Sequence, residues 1–179
     1  DGKKIAETAV EHLIALGHRN IGYVGSCRNE DRYIGYMDTL KKNNLDMIPE
    51  YVVETDQTER EGYEAMEQLL KTDDCPTGIY CANDITAVGM LKYLRRCRNL
   101  YFTPSIIASD NIEEAQFTKP MLTTVALPRE EMGRFAIYLL LDRMKGGHTG
   151  VVRMELSGKL LIRNSCSHVS ESFWSDYCI

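Results

Sequence analysis

Six residues, Ile79-Tyr80-Cys81-Ala82-Asn83-Asp84, constrain this chain more than any other stretch. A short apolar run stops at an Asn-Asp pair, and Ile85 to Leu91 then takes up a helical pattern. A buried strand, a tight turn and a helix start thus fall within about a dozen residues. A chain that makes this transition repeatedly is directed toward parallel strands joined by helical crossovers. Ligands of open α/β sheets bind where such strands end. Asn83 or Asp84 is equally suited to capping the next helix, by accepting from its first free N–H groups. Both roles stand open at this point.

The transition recurs. Residues 3–16 place Ile5, Ala6, Ala9, Val10, Leu13 and Ile14 on one helical face, and Gly17 follows as a C-terminal cap. Ile21 to Gly25 reads as a buried strand, Ser26 to Asp31 as a polar loop, and Arg32 to Asn43 as helix. Tyr51-Val52-Val53 is a second strand, and Tyr63, Met66, Leu69 and Leu70 give the next helix its apolar stripe. Ile79 to Cys81 is the third strand, followed by helix to about Arg96, and Ser105 to Ser109 is the fourth. Four strand-then-helix units imply a mainly parallel, doubly wound three-layer α/β sheet with helices on both faces. The polar residues that end the strands gather on one edge: the Ser26–Arg32 loop, Asp56-Gln57, Asn83-Asp84 and Asp110-Asn111. That carboxyl edge is the candidate binding site.

From Pro120 the rhythm changes. Leu122 to Val125 is extended, and Pro128, Glu130 and Glu131 suit the first turn of a helix that carries Met132, Phe135, Ala136, Leu139, Leu140 and Met144. Val151 to Leu156 and Lys159 to Ile162 read as strands, and the polar, aromatic stretch from Cys166 onward has no pattern that places it.

Composition narrows the function classes. The 179 residues suffice for one ordinary domain with a real core, and 44% hydrophobic with 26% charged residues is globular. A net charge of −5 argues against a broad basic face for nucleic acid. No run is long enough to span a bilayer as a helix. The chain opens abruptly in helical sequence, as a piece of a longer protein would. Six cysteines without a CxxC pair fit reduced thiols in a cytosolic protein better than a disulfide framework. The four histidines show no metal-ligand spacing, and no metal or cofactor is expected.

Several segments, in order, resemble the lactose/galactose repressor (LacI/GalR) family of bacterial transcription regulators. They are His12-Leu13-Ile14, Gly17 to Gly25, Arg32-Tyr33-Ile34-Gly35-Tyr36, Gly62-Tyr63, Cys81-Ala82-Asn83-Asp84 with Ala87 and Gly89, and Ser105-Ile106-Ile107 leading into Asp110-Asn111. Pro120 to Val125, Pro128, Glu131-Met132-Gly133 and Leu161 to Ser165 complete the set, which covers residues 1 to about 166. The resemblance implies a type I periplasmic-binding-protein-like effector module of two lobes. Residues 1–111 and 155–179 would form the C-terminal lobe, and 112–154 the crossover with a remnant of the N-terminal lobe. The helix-turn-helix DNA-binding head and most of the N-terminal lobe would lie outside this sequence. Operator DNA would then be read only through that head, in a cytoplasmic homodimer joined through the helix at 84–96 and the Phe117 region.

The resemblance also implies site residues. Arg32 matches the family's arginine that grips ligand hydroxyls or carboxylates, and a planar guanidinium suits two vicinal oxygens. The alternative for Arg32 is a surface ion pair with Glu30 or Asp31. Asn83 matches an asparagine able to donate to and accept from a sugar hydroxyl. Asp110 matches an aspartate that accepts from two hydroxyls, with a plain turn residue as its alternative. Gln57 stands where the family often has a stacking aromatic, which implies a more polar pocket. Arg28 reaches toward the ligand from a short loop, or else is solvated. This set fits a sugar or sugar derivative better than a flat purine. The rival readings are an exported sugar-binding protein of the same fold, a receiver-like domain, and an enzyme. The first is disfavoured by the scattered cysteines. The second lacks the acidic pair, and the third lacks a partnered nucleophile or metal spacing.

Overall fold

The computed structural model describes residues 1–72, 74–97 and 103–171. Helix α1 (Gly2–Ala15) starts where the Asp1 carboxylate accepts from the Lys4 N–H, and it turns off at Gly17, whose φ of 90° is left-handed. Strand β1 (Ile21–Gly25), helix α2 (Asp31–Lys42), strand β2 (Val52–Glu54), helix α3 (Glu59–Leu69), strand β3 (Gly78–Cys81) and helix α4 (Asp84–Arg96) follow in alternation. Helix α3 begins in a capping box, with the Thr58 hydroxyl accepting from the Glu61 N–H and the Glu61 carboxylate accepting from Thr58 N–H.

Strands β4 (Ser105–Asp110), β5 (Thr123–Ala126) and β6 (Lys159–Leu161) complete one sheet in the order β2-β1-β3-β4-β5-β6. All pairings are parallel except β5 with β6. The strands are buried on both faces because successive side chains serve opposite layers. Ile79 and Cys81 join the core beneath α3 and α4, with Met66, Leu69, Met90 and Leu94. Tyr80 and Ala82 join the core beneath α1 and α2, with Leu13, Tyr23, Tyr36 and Leu40. Helices α3 and α4 approach so closely that a Cβ on Gly62 would lie 2.0 Å from the Thr86 carbonyl oxygen.

Two expectations are corrected. The fourth strand is followed by a single 3-10 turn, Glu113–Gln116, rather than a helix, and the chain re-enters the sheet at once as β5. Residues Val151 to Leu156 form no strand; β4 and β6 take the two sides of β5, and an alternating run without a ladder partner stays irregular. Strand β5 lies within the range that the resemblance gives to the crossover, and it is a core strand of this sheet, with Val125 fully buried.

Helix α5 (Arg129–Met144) has no buried residue. Met132, Phe135 and Leu139 line a groove with Ile5, Leu127 and Leu156, while Ile137, Tyr138, Leu140 and Leu141 face outward. After β6 the chain runs back along the sheet. The Ser165 hydroxyl donates to the Ile106 carbonyl, the buried His18 Nε2 donates to the Ser167 carbonyl, and Val169 N–H donates to the Leu16 carbonyl. The rest of the unplaced tail, 172–179, lies outside the described residues. Among the described residues no helix is long and apolar enough to cross a membrane.

Candidate functional site

The strand order reverses between β1 and β3, because β1 leads into α2 on one face and β3 into α4 on the other. Such a reversal opens a crevice at the carboxyl edge. Arg32, in the first turn of α2, spans it. The Glu30 carboxylate accepts from the Arg32 N–H and so begins the helix. The Arg32 guanidinium then reaches across the reversal. Its Nη1 donates to the Ala82 carbonyl just beyond β3, and its Nη2 donates to Asp110 Oδ1 at 3.1 Å. The two side chains are 19% and 21% exposed, so this is a half-sheltered pair and not a solvated contact with Glu30 or Asp31. Burial pushes the Asp110 carboxyl above the usual carboxylate range, and the Arg32 and Arg129 guanidinia oppose that shift.

Asn83 has its polar atoms engaged. Its Oδ1 accepts from Thr86 N–H at 3.0 Å and caps α4, and its Nδ2 donates to the Gln57 carbonyl at 3.2 Å. Gln57 is thereby held at a φ of 63° beside the crevice. Arg28 is not brought to the pair: it meets Glu54 at 3.4 Å with 88% of its side chain exposed. Positive φ angles at non-glycine residues concentrate here. Asn29, Gln57 and Asn111 lie in loops that follow strands on this edge, and Asp110 is the last residue of β4. Such conformations cost about 1–3 kcal/mol each and persist where surrounding contacts enforce them, which is typical of ligand sites.

Four residues to which the sequence reading gave no ligand-binding role support the Asp110 turn. Arg129 Nη2 donates to the Asp110 carbonyl at 2.9 Å. Arg163 donates to Asn111 Oδ1 at 2.7 Å and to the Leu122 carbonyl at 2.8 Å. Asp84, fully buried, accepts from Ile112 N–H at 2.9 Å and from the Thr124 hydroxyl at 2.6 Å. Burial pushes its carboxyl up to about 6 despite both hydrogen bonds. Position alone marked Asp84, as neighbour of Asn83. No local signal marks Arg129, Thr124 or Arg163, since each acts on a turn distant in sequence. Among the described residues no group of three or more His, Cys, Asp or Glu side chains is arranged to hold a metal, and Cys27, Cys75, Cys81, Cys97 and Cys166 are free thiols.

A guanidinium and a carboxylate this close present a donor beside an acceptor, which two adjacent hydroxyls match. A doubly wound sheet with this strained, polar carboxyl edge is a ligand-binding lobe of the periplasmic-binding-protein type. The chain belongs to that family, as the effector-binding region of a LacI/GalR-type regulator: the family profile "Periplasmic binding protein-like domain" matches residues 10–166. It is 37% identical over 171 residues to the HTH-type transcriptional repressor CytR of Escherichia coli (strain K12), covering 92% of this chain and 50% of that protein. It is 32% identical over 169 residues to the repressor PurR of Haemophilus influenzae (strain PittGG), again covering 50% of it. The chain thus spans half the length of these relatives. Among solved structures, a LacI-family regulatory protein from Chloroflexus aggregans superposes with a TM-score of 0.85 at 30% identity, covering 94% of this chain and 62% of that one. The regulator CelR in complex with cellobiose gives 0.84 at 28%, covering 93% and 52%. A LacI-family regulator from Enterococcus faecium with bound ribose gives 0.82 at 27%, covering 94% and 64%.

Proposed function

We propose that this chain is the effector-sensing part of a bacterial LacI/GalR-type transcriptional repressor, and that its effector is a sugar or sugar derivative carrying adjacent hydroxyls. The Arg32–Asp110 pair carries the reading. It is sheltered, held from both sides of the strand reversal, and sited where one hydroxyl can accept from Arg32 while its neighbour donates to Asp110. Asn83 and the Gln57 loop form the next wall of the same edge. Structures similar to this chain hold ribose and cellobiose, which supports a sugar over a flat aromatic ring.

In this reading residues 1–111 and 155–179 belong to one lobe. Residues 112–154 belong to the crossover and the second lobe, with β5 the part of the crossover laid into this sheet. Helix α5 leaves Met132, Ile137, Tyr138, Leu140, Leu141 and Met144 exposed and buries no residue, which suits a place against that second lobe. Effector held between the lobes favours one closure angle, and the lobes carry the DNA-binding heads, so operator affinity changes by population shift and without turnover. The whole regulator acts in the cytoplasm as a homodimer. Phe117, 76% exposed at the mouth of a groove floored by the buried Val88 and Leu91, provides an apolar contact for the second copy.

The test is a two-dimensional amide NMR titration of this chain with mono- and disaccharides, including D-ribose and cellobiose, and with purines in parallel. Sugar-induced shifts at Arg32, Asn83 and Asp110 that vanish in Asp110→Ala support the reading. Shifts of those residues by purines alone refute the sugar class.

A further inference from the structure

Asp110 and Asn111 both stand at positive φ, 116° and 53°, directly before Ile112. A turn of two such residues without glycine is held by its surroundings. One of the groups holding it has no role in the effector reading so far: the carboxylate of Asp84, first residue of α4. We propose that Asp84 is the positioning residue of the ligand edge, its carboxylate holding the Asp110–Asn111 turn in the conformation from which Asp110 meets Arg32. This rests on the reading of Arg32 and Asp110 as the effector's partners.

The argument is one of donor direction. A carboxylate only accepts, so Ile112 N–H and the Thr124 hydroxyl both point their protons at Asp84. Thr124 has a single hydroxyl proton. With it committed to Asp84, the Thr124 oxygen is free to accept from Asn111 N–H, at 3.4 Å. Asp84 therefore orders two consecutive amides of the turn, Ile112 directly and Asn111 through Thr124. A neutral acid or amide at this place supplies a donor of its own, and the arrangement loses its single direction. The ionisable groups that face Asp84 are Asp110 at the end of β4, Cys81 at the end of β3, and Arg163 beyond β6. Burial outweighs the arginine, so the carboxyl takes up its proton near pH 6 and the turn slackens as pH falls through that range.

The experiment is residue-resolved amide hydrogen exchange on this chain at pH 5 and pH 7.5, corrected for intrinsic rates, in wild type and Asp84→Asn. The Arg32 side-chain N–H signals are followed in parallel. At pH 7.5 the Asn111 and Ile112 amides should exchange at least about tenfold faster in Asp84→Asn than in wild type, as expected for a lost buried hydrogen bond. In wild type the same amides should lose protection between pH 7.5 and pH 5, and the variant should show no such change. The Arg32 signals should shift with them, a remote effect that a local capping role would not produce. Amides of Val24 and Tyr80 serve as the folded-core control. Should Asp84→Asn fail to fold, Thr124→Val replaces it, with the same expectation at Asn111. Equal protection of Asn111 and Ile112 in variant and wild type, with unmoved Arg32 signals, overturns the proposal. D-ribose is then added to both proteins. No binding to wild type counts against the sugar reading and leaves the exchange result to decide the positioning role. Binding to wild type that weakens about tenfold in the variant supports both.

Discussion

Gly89→Ala should destabilise the protein although it adds one methyl group to a helix. A Cβ at Gly89 would lie 1.9 Å from the Glu59 carbonyl oxygen and 2.9 Å from the Tyr63 nitrogen. Both obstacles are backbone of α3, so no side chain can swing aside. Restoring an ordinary contact requires the helices to part by about 1.5 Å, and a gap of only about 0.5–1 Å already forfeits a quarter to a half of each dispersion contact across the seam. Met66 and Leu69 against Met90 and Leu94, and the Tyr63–Tyr93 edge contact at 4.9 Å, lie along that seam. Overpacking of this kind costs about 3 kcal/mol or somewhat more, against a gain of about 1 kcal/mol from alanine's helix preference. A net loss of about 2 kcal/mol should lower the urea midpoint by about 1 M in circular dichroism. Gly62→Ala meets the same seam from the other side, so the double variant should cost less than the sum of the two, because helices already parted admit the second methyl. Gly133→Ala, with nothing within 4 Å, is the control and should not destabilise. A Gly89→Ala protein within about 0.5 kcal/mol of wild type would refute the close-approach reasoning.

Three further outcomes are expected. The Asp84 carboxyl is pushed up to about 6 from an ordinary 3.8, so the stability it contributes is complete below about pH 4 and is lost as pH rises through 6. Urea denaturation at pH 4.5 and 7.5 should therefore show wild type losing about 2 kcal/mol relative to Asp84→Asn across that interval, and an unchanged difference would be contrary. Thr58→Ala removes the α3 capping box and should cost about 1 kcal/mol by the same assay, with no effect expected on sheet order. Phe117→Glu should shift any dimer of this chain toward monomer in sedimentation velocity, and a sedimentation profile like that of wild type would place the second copy elsewhere.

Much of the site's scaffold was legible because its signals are local. Apolar spacing marked α1 through α4, and strand runs that end in polar residues located the carboxyl edge, down to Asn83 as a cap. Val151 to Leu156 misled because the alternation of Val152, Met154 and Leu156 with Arg153 and Glu155 is compatible with a strand but does not make one; the pairing partner is a tertiary fact. The stretch after β4 misled for a related reason. Asp110 and Asn111 look like a turn before a helix, but their left-handed backbone is imposed by Asp84, Thr124, Arg129 and Arg163 from other elements.

By itself the sequence determined a doubly wound α/β lobe, the polar carboxyl edge proposed here for the ligand, and membership of the regulator family. Those follow from periodicity, from strand-end chemistry and from an ordered set of motifs, all of them properties of neighbouring residues. Only the tertiary structure decided which polar groups meet. Arg32 pairs with Asp110, 78 positions away, and not with adjacent Glu30, because parallel strands with helical crossovers bring the carboxyl ends of separate units side by side. The same geometry leaves Arg28 in solvent and makes buried Asp84 the support of the site.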